Sequence, residues 1–293
     1  MRTFTGSGVV TGAGSGIGRS IAHALSARGL GVVVADVELD AAEKVSAEIV
    51  AGGGRALAHQ VDVRDLAAMN AMADRAEVEF GRTSVLVNNA GVTLRPFRAS
   101  WDTNENDFRW MFDVNWWGVV HGHMAFVPRM LAGSGDRQIV NTASTAAIHP
   151  FAGHAAYSAS KAAVDGFTIA VRAELEVAAQ NFGASVLFPG PVKTRVTSSA
   201  RLRPARDAEA SASVRSWMDY LGAASNTPLV DTAEAVDDLP HRASHAAEVI
   251  DADAVGEIVM EGIERNLPYI LTHPPHTDRL DARRDLLVAG EPR

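Results

Sequence analysis

Apolar residues come in short unbroken runs along the first two thirds of the chain. Val9-Val10-Thr11, Val32-Val33-Val34-Ala35, Ala56 to Val61, Val85-Leu86-Val87, Gln138-Ile139-Val140-Asn141 and Ala184 to Phe188 are such runs. They do not alternate with polar residues, which suits strands buried on both faces of a parallel sheet. Between them the apolar period changes to about four residues, as in Ile17, Ile21 and Leu25, and again in Val164, Phe167, Val171 and Leu175. That spacing puts one apolar stripe on a helix, ready to pack on a sheet. Helices are expected near 17–28, over 39–51, stopped by Gly52-Gly53-Gly54, and over 65–80, 105–132, 155–181 and 251–265. Tyr269-Ile270-Leu271 reads as a last strand. The tail beyond 285 reads as frayed.

Strand and helix thus alternate for about 190 residues. The fold class that follows is α/β: a single-domain Rossmann fold, a doubly wound parallel sheet of about seven strands with helices on both faces. Residues 1–293 read as one domain. Residues 195–250 break the alternation with Arg201-Leu202-Arg203-Pro204, an alanine-rich polar stretch and an acidic run around Asp231 to Asp238. We read 195–250 as a substrate-binding lid or insertion.

Composition narrows the chemistry. A net charge of −8 disfavours a nucleic-acid partner, which wants a basic face. There is no cysteine, so disulfides, thiol nucleophiles and thiolate metal sites are excluded; a cytoplasmic location fits. The N-terminal residues lack an apolar signal-peptide core, and no apolar run reaches the ~18–20 residues of a membrane span. His121-Gly122-His123 and His273-Pro274-Pro275-His276 lack a third ligand in context, so no metal site is expected. Trp116-Trp117 is assigned to the core or to a subunit interface.

Between the first strand and the first helix lies Gly12-Ala13-Gly14-Ser15-Gly16-Ile17-Gly18. Glycines in that context let the backbone approach a pyrophosphate, and the helix N-terminus favours the anion. Asp36 ends the second strand, where a carboxylate can bind both adenosine ribose hydroxyls and repel a 2′-phosphate. NAD is therefore favoured over NADP, with Arg19 secondary. Further along, Tyr157 and Lys161 stand one helical turn apart, and Ser144 lies thirteen residues before the tyrosine. A free phenol titrates near pH ~10. A neighbouring cation lowers that value, so a tyrosine here can move a proton at neutral pH while a serine holds a substrate oxygen.

Together these residues resemble the short-chain dehydrogenase/reductase family, over about residues 5–195 and more loosely to 272. Thr11 to Gly18 is similar to its glycine motif, Asp62-Val63 to its adenine-pocket pair, and Asn88-Asn89-Ala90-Gly91 to the turn lining the cofactor. Pro189-Gly190-Pro191-Val192-Lys193-Thr194 is similar to the stretch that seats the nicotinamide. The resemblance implies a catalytic set of Asn115, Ser144, Tyr157 and Lys161. Tyr157 would be the general acid/base. Lys161 would lower its pKa and bind the ribose, Ser144 would orient the substrate oxygen, and Asn115 would hold a relay water. Gly12, Ser15, Gly16, Ile17, Gly18, Asp36, Asp62, Val63, Asn89, Ala90, Gly91, Pro189, Gly190, Val192 and Thr194, with Tyr157 and Lys161, would contact NAD. The first strand is short and carries glycines at 6 and 8, so an irregular start is expected.

Phe126 to Met130, Ile139 to Ser144 and Ser199 to Ala205 are also similar to segments of bacterial lignin aryl-ether Cα-dehydrogenases. That likeness implies a benzylic secondary alcohol as substrate. Phe97, Trp101, His149, Phe151, His154, Val192 and Trp217 are candidates for an apolar substrate pocket. Hydroxyacyl, steroid or sugar-derived alcohols, or a non-catalytic NAD sensor, are the alternatives. Small-molecule alcohol or ketone substrates and a homodimer or homotetramer are the expected partners.

Overall fold

The computed structural model describes residues 1–203, 214–225, 248–275 and 277–290. The strands are β1 (Ser7–Thr11), β2 (Gly31–Asp36), β3 (Arg55–Gln60), β4 (Thr83–Asn88), β5 (Arg137–Thr142), β6 (Phe182–Phe188), the short β7 (Val192–Lys193) and β8 (Ile250–Asp251), and β9 (Tyr269–Leu271). The helices are α1 (Gly16–Ala27), α2 (Leu39–Ala51), α3 (Leu66–Phe80), α4 (Glu105–Phe112), α5 (Gly118–Leu131), α6 (Thr145–Ile148), α7 (Ala155–Ala178), α8 (Trp217–Ser225), α9 (Val255–Glu264) and α10 (Thr277–Ala289).

Seven strands form one parallel sheet in the order β3-β2-β1-β4-β5-β6-β9. The unbroken apolar runs have a simple cause. Successive strand residues point to opposite faces, and both faces are covered. Val10, Val32, Val34, Val85 and Val87 face one core layer with Ile21, Leu25, Val45, Ile49 and Val259 from α1, α2 and α9. Val9, Val33, Leu86 and Ile139 face the other, with Met69, Met72, Phe126, Met130, Val171 and Leu175 from α3, α5 and α7. Each fully buried Leu or Ile contributes roughly 1.5–3 kcal/mol.

The expected irregular start of β1 is a register shift against β4 between Ser7 and Gly8. Two helices differ from the sequence reading. The stretch 105–132 is divided by a π turn, Asp113–Trp117, between α4 and α5. α7 ends at Ala178, and Asn181, at φ 57°, turns the chain into β6. The tail is helical to Ala289 rather than frayed beyond 285, although α10 buries none of its residues. Of the 195–250 stretch, the structure describes a 3-10 segment Arg195–Leu202, α8 and β8. The acidic run at 231–238 lies outside the described residues.

Among the described residues, no helix is long and apolar enough to cross a membrane.

Candidate active site

The parallel strands end on one edge, and the candidate residues sit in the loops that follow them. That is where open α/β sheets place ligands. After β1 the chain turns through Gly12 and Gly16, at φ 63° and 54°, in the left-handed region where side chains are disfavoured. A Cβ at Gly12 would lie 2.8 Å from Ala90 Cα, and one at Gly18 would lie 2.3 Å from the Gly12 carbonyl. Thr11 Oγ1 accepts the N–H groups of Asn89 and Ala90 at 3.0 and 3.1 Å. Asn89 Nδ2 donates to the Thr11 carbonyl at 3.0 Å. The glycine turn and the turn after β4 are thus stitched into one cradle at the N-terminus of α1.

Asp36, at the end of β2, is 8% exposed. Its Oδ2 accepts Gly14 N–H at 2.9 Å and its Oδ1 accepts Glu38 N–H at 3.0 Å. Each carboxylate oxygen keeps a further lone pair, enough for two vicinal ribose hydroxyls. Arg19 is committed elsewhere, to Glu48 at 2.8 Å and Asp253 at 2.9 Å. After β3, Arg64 grips both Asp62 oxygens, at 2.9 Å on Oδ1 and 2.6 Å on Oδ2. Burial pushes the Asp62 carboxyl up, but the hydrogen bonds from Arg64 hold it below its ordinary value.

At the other end of the crevice, Ser144 follows β5 and caps α6, accepting Ala146 N–H at 3.2 Å. Its hydroxyl also favours the ionised form of the Tyr157 phenol. Lys161, 3% exposed, donates from Nζ to the Thr142 carbonyl at 2.7 Å. Nζ lies 5.9 Å from the Tyr157 ring centre. Burial lowers Lys161 to about 8. Burial also raises the Tyr157 phenol, against the opposing hydrogen bond from Ser144. The sequence argument expected the cation to lower the phenol. In this packing, loss of hydration acts on both groups and outweighs their attraction.

Asn115 sits in the π turn and is fully buried. Its Oδ1 accepts Val92 N–H at 2.8 Å, and its Nδ2 donates to Val92 O and Ser160 Oγ at 3.0 Å each. A Cβ at Gly91 would lie 3.2 Å from Lys161 Nζ and 3.3 Å from Asn115 Oδ1, so these two groups flank one glycine.

One crevice is lined by Gly12, Ser15, Gly16, Ile17, Gly18, Asp36, Asp62, Val63, Asn89, Ala90, Gly91, Ser144, Tyr157, Lys161, Pro189, Gly190, Val192 and Thr194. Asn115 stands behind its wall. The glycine cradle, the ribose-ready carboxylate and the helix N-terminus fit a dinucleotide in chemistry and in order.

The sequence places a lid over 195–250, and the bonds that fasten its described part to the crevice are what the sequence does not show. The segment 195–202 crosses the crevice as a roof, with Thr194 Cγ2 only 3.0 Å from a Cβ built at Gly16. Arg201 and Arg195 donate to Glu38 Oε2 at 2.6 and 3.2 Å. Ser199 Oγ accepts Thr93 N–H and donates to the Thr93 carbonyl, both at 2.9 Å. These partners are more than a hundred residues apart, and no local motif marks them.

Beside Tyr157 stands an aromatic wall. His154 stacks on the tyrosine ring, and Phe97 and Phe151 lie against His154. Phe97 shares a cluster with Phe151, Trp217, Met218 and Leu221, joining α8 to the loop after β4. Trp101, at the outer end, is 72% exposed. His149 is half-buried, away from the crevice lining.

The sequence model of the short chain dehydrogenases matches residues 8–205. The chain belongs to the short chain dehydrogenase family. It is therefore an oxidoreductase by family. A 1-deoxy-11-beta-hydroxypentalenate dehydrogenase of Streptomyces exfoliatus is 38% identical over 194 residues, 66% of this chain and 70% of that protein. A C alpha-dehydrogenase of a Sphingobium species is 31% identical over 280 residues, 95% of this chain and 84% of that one. The crystal structure of a short chain dehydrogenase/reductase from Burkholderia phymatum in complex with NAD is 31% identical. It superposes with a TM-score of 0.80, over 100% of this chain and 98% of that chain.

Proposed function

We propose that this protein is an NAD-dependent dehydrogenase that interconverts a bulky aromatic, benzylic-type secondary alcohol and its ketone. The observation that carries the reading is the Tyr157 phenol, which lines one crevice with Ser144 and has the His154 ring of the aromatic wall stacked on its face. A flat ring is the shape such a wall accepts, with offset or edge contacts of about 0.5–1.5 kcal/mol each. The likeness to a C alpha-dehydrogenase along 95% of the chain and to an NAD-bound relative supports both substrate and cofactor.

Bound NAD would accept the hydride released from the alcohol carbon. The chain supplies the rest. Asp36 binds the adenosine ribose and the glycine turn holds the pyrophosphate. Ser144 Oγ fixes the alcohol oxygen beside the phenol. Tyr157, as phenolate, takes the hydroxyl proton from that oxygen. Lys161 sets its ammonium near the phenol and stays anchored on Thr142. Asn115, pinned by Val92 and Ser160, fixes the floor beneath Lys161. Most of the rate comes from holding these groups in one geometry.

We also infer a dimer or tetramer built on α5. Trp116 and His123 pack edge-on against Phe167 of α7, so one side of the helix is internal. Trp117, Met124 and Leu131 recur every seven residues on another side and stay 47%, 53% and 38% exposed.

The test of the main reading is NADH formation from a panel of benzylic secondary alcohols, with Tyr157→Phe as the control. Turnover that falls about 10²–10⁴-fold in the variant, with NAD binding retained, is the expected result. Tight NAD binding with no turnover of any secondary alcohol overturns it in favour of a sensor. Turnover confined to hydroxyacyl, steroid or sugar-derived alcohols removes the aromatic substrate and keeps the chemistry.

A further inference from the structure

His154 lies just before α7 and one turn ahead of Tyr157, and its ring is held on every side that matters to that tyrosine. It stacks on the phenol ring with centroids 4.4 Å apart and planes 16° from parallel. Phe97 meets it edge-on at 4.8 Å and 62°. Phe151 meets it at 4.6 Å and 34°. Nε2 lies 2.9 Å from Thr93 Oγ1. Thr93 is itself fixed, because Ser199 Oγ binds both its backbone N–H and its carbonyl. Ser199 is 2% exposed and belongs to the roof segment, whose other end is tied to Glu38 beside Asp36.

We propose that His154 is a positioning residue for Tyr157, oriented by Thr93, and that the Thr93–Ser199 contact ties this orientation to the roof over the dinucleotide crevice. The inference rests on the reading of Tyr157 as the acid/base.

The physical need is clear from where Tyr157 stands. It sits in the first turn of α7, the helix that begins directly after His154, and the His154 side chain makes no cap bond to that turn. A phenol that must meet a substrate oxygen within hydrogen-bond range loses rate steeply when its ring swings. A flat ring stacked on one face restricts that swing, provided the flat ring cannot itself turn. The two phenylalanines block His154 sterically, and the bond to Thr93 favours one rotation of its ring. The contacts form one line: Tyr157 to His154, His154 to Thr93, Thr93 to Ser199, and through the roof to Arg201 and Glu38. A roof seated over the cofactor and a tyrosine in line therefore share their supports.

Three variants of the full chain separate positioning from packing. Thr93→Val keeps the volume and removes the bond to His154. His154→Phe keeps a flat ring and loses the bond. His154→Ala removes both. We expect kcat to fall about tenfold in Thr93→Val and further in His154→Ala, with His154→Phe recovering part of the loss. The KM for NAD should stay within about twofold in all three. A second readout does not need turnover. The chain has three tyrosines, so ¹³C-labelled tyrosine gives three ring signals, of which Tyr157→Phe assigns one. A stacked imidazole shifts that signal, and it should move in Thr93→Val and His154→Ala.

Unchanged kcat and an unchanged Tyr157 signal in Thr93→Val and His154→Ala overturn the proposal. So does a loss confined to the KM for NAD, or a His154→Phe variant no better than His154→Ala. If the wild-type protein turns over no alcohol, the catalytic reading fails. The tyrosine signal then still decides whether His154 fixes the ring.

Discussion

Asp36 Oδ2 accepts the backbone N–H of Gly14 at 2.9 Å, joining the end of β2 to the turn that would hold a pyrophosphate. The carboxylate is thereby aimed at the rim of the crevice. Glu38 adds a second negative group two residues on, and Arg19 is drawn off by Glu48 and Asp253. A 2′-phosphate would face the Asp36 carboxylate there, since Arg201 and Arg195 neutralise Glu38.

The cofactor preference should therefore follow Asp36. Asp36→Ala loses charge-assisted bonds of about 1.5–3 kcal/mol to the ribose, and the KM for NAD should rise tenfold or more. NADP should gain on NAD in the same variant, because a repulsion is removed. Initial rates with both cofactors measure this. An unchanged preference for NAD would sink the assignment of Asp36.

Lys161 and Tyr157 set the pH behaviour. Burial raises the phenol, so it is protonated at neutral pH. Alcohol oxidation needs the phenolate, and its kcat should climb steadily from about pH 7 to about pH 10. Ketone reduction needs the protonated form and should not climb. Lys161 acts on stability with its own sign. Its pKa is about 8 when folded and 10.5 ordinarily, so between those values the unfolded chain binds more protons. The stability it contributes is present above the ordinary value and lost as pH falls through about 8. Urea midpoints of the wild type and Lys161→Met should thus diverge in favour of the wild type as pH rises across that window. A constant gap would refute it.

The strands, the glycine turn and the lining residues were legible because each depends on neighbours in sequence. An apolar run bounded by turns is a buried strand wherever it falls. A glycine at φ 63° is needed by the turn itself. The π turn at Asp113–Trp117 was not legible, since one extra residue in a helical turn leaves no period to see. The roof depends on Glu38 meeting Arg201 across 163 residues. The sequence offers His154 as a substrate contact, while its bond to Thr93 depends on the loop after β4 meeting the start of α7 across 61 residues. The direction of the Tyr157 shift is hidden from the sequence for a related reason. Spacing tells that a cation is near, whereas burial is a property of the packed whole.

Behind the aromatic wall, Arg98 Nη1 donates to Asp107 Oδ2 at 2.8 Å, with side chains 3% and 0% exposed. Arg203, 4% exposed, pairs with the other carboxylate oxygen. Two guanidinium groups thus share one buried carboxylate, and the Arg98 N–H donates to Gly153 O beside His154. Removing the shared anion takes from both buried guanidinium groups the carboxylate they share. Asp107→Asn should lose roughly 3–5 kcal/mol of stability in urea unfolding. A loss under about 1 kcal/mol would mean that water reaches the cluster.

The exposed stripe on α5 makes the last prediction. Trp117, at the end of the π turn, and Met124 and Leu131 on α5 are exposed, while Trp116 of the π turn packs against Phe167. A second copy of the chain would remove that stripe from water at a gain of about 25 cal/mol per Å² of apolar surface. A carboxylate at its centre would have to be desolvated without a partner, which costs several kcal/mol. Met124→Glu should therefore shift the protein toward monomer in sedimentation or light scattering, by about a hundredfold or more in dissociation constant. Because Met124 is 53% exposed within one chain, the monomer itself should keep its fold and its far-UV spectrum. A variant that assembles as the wild type does would place the subunit contact on another face.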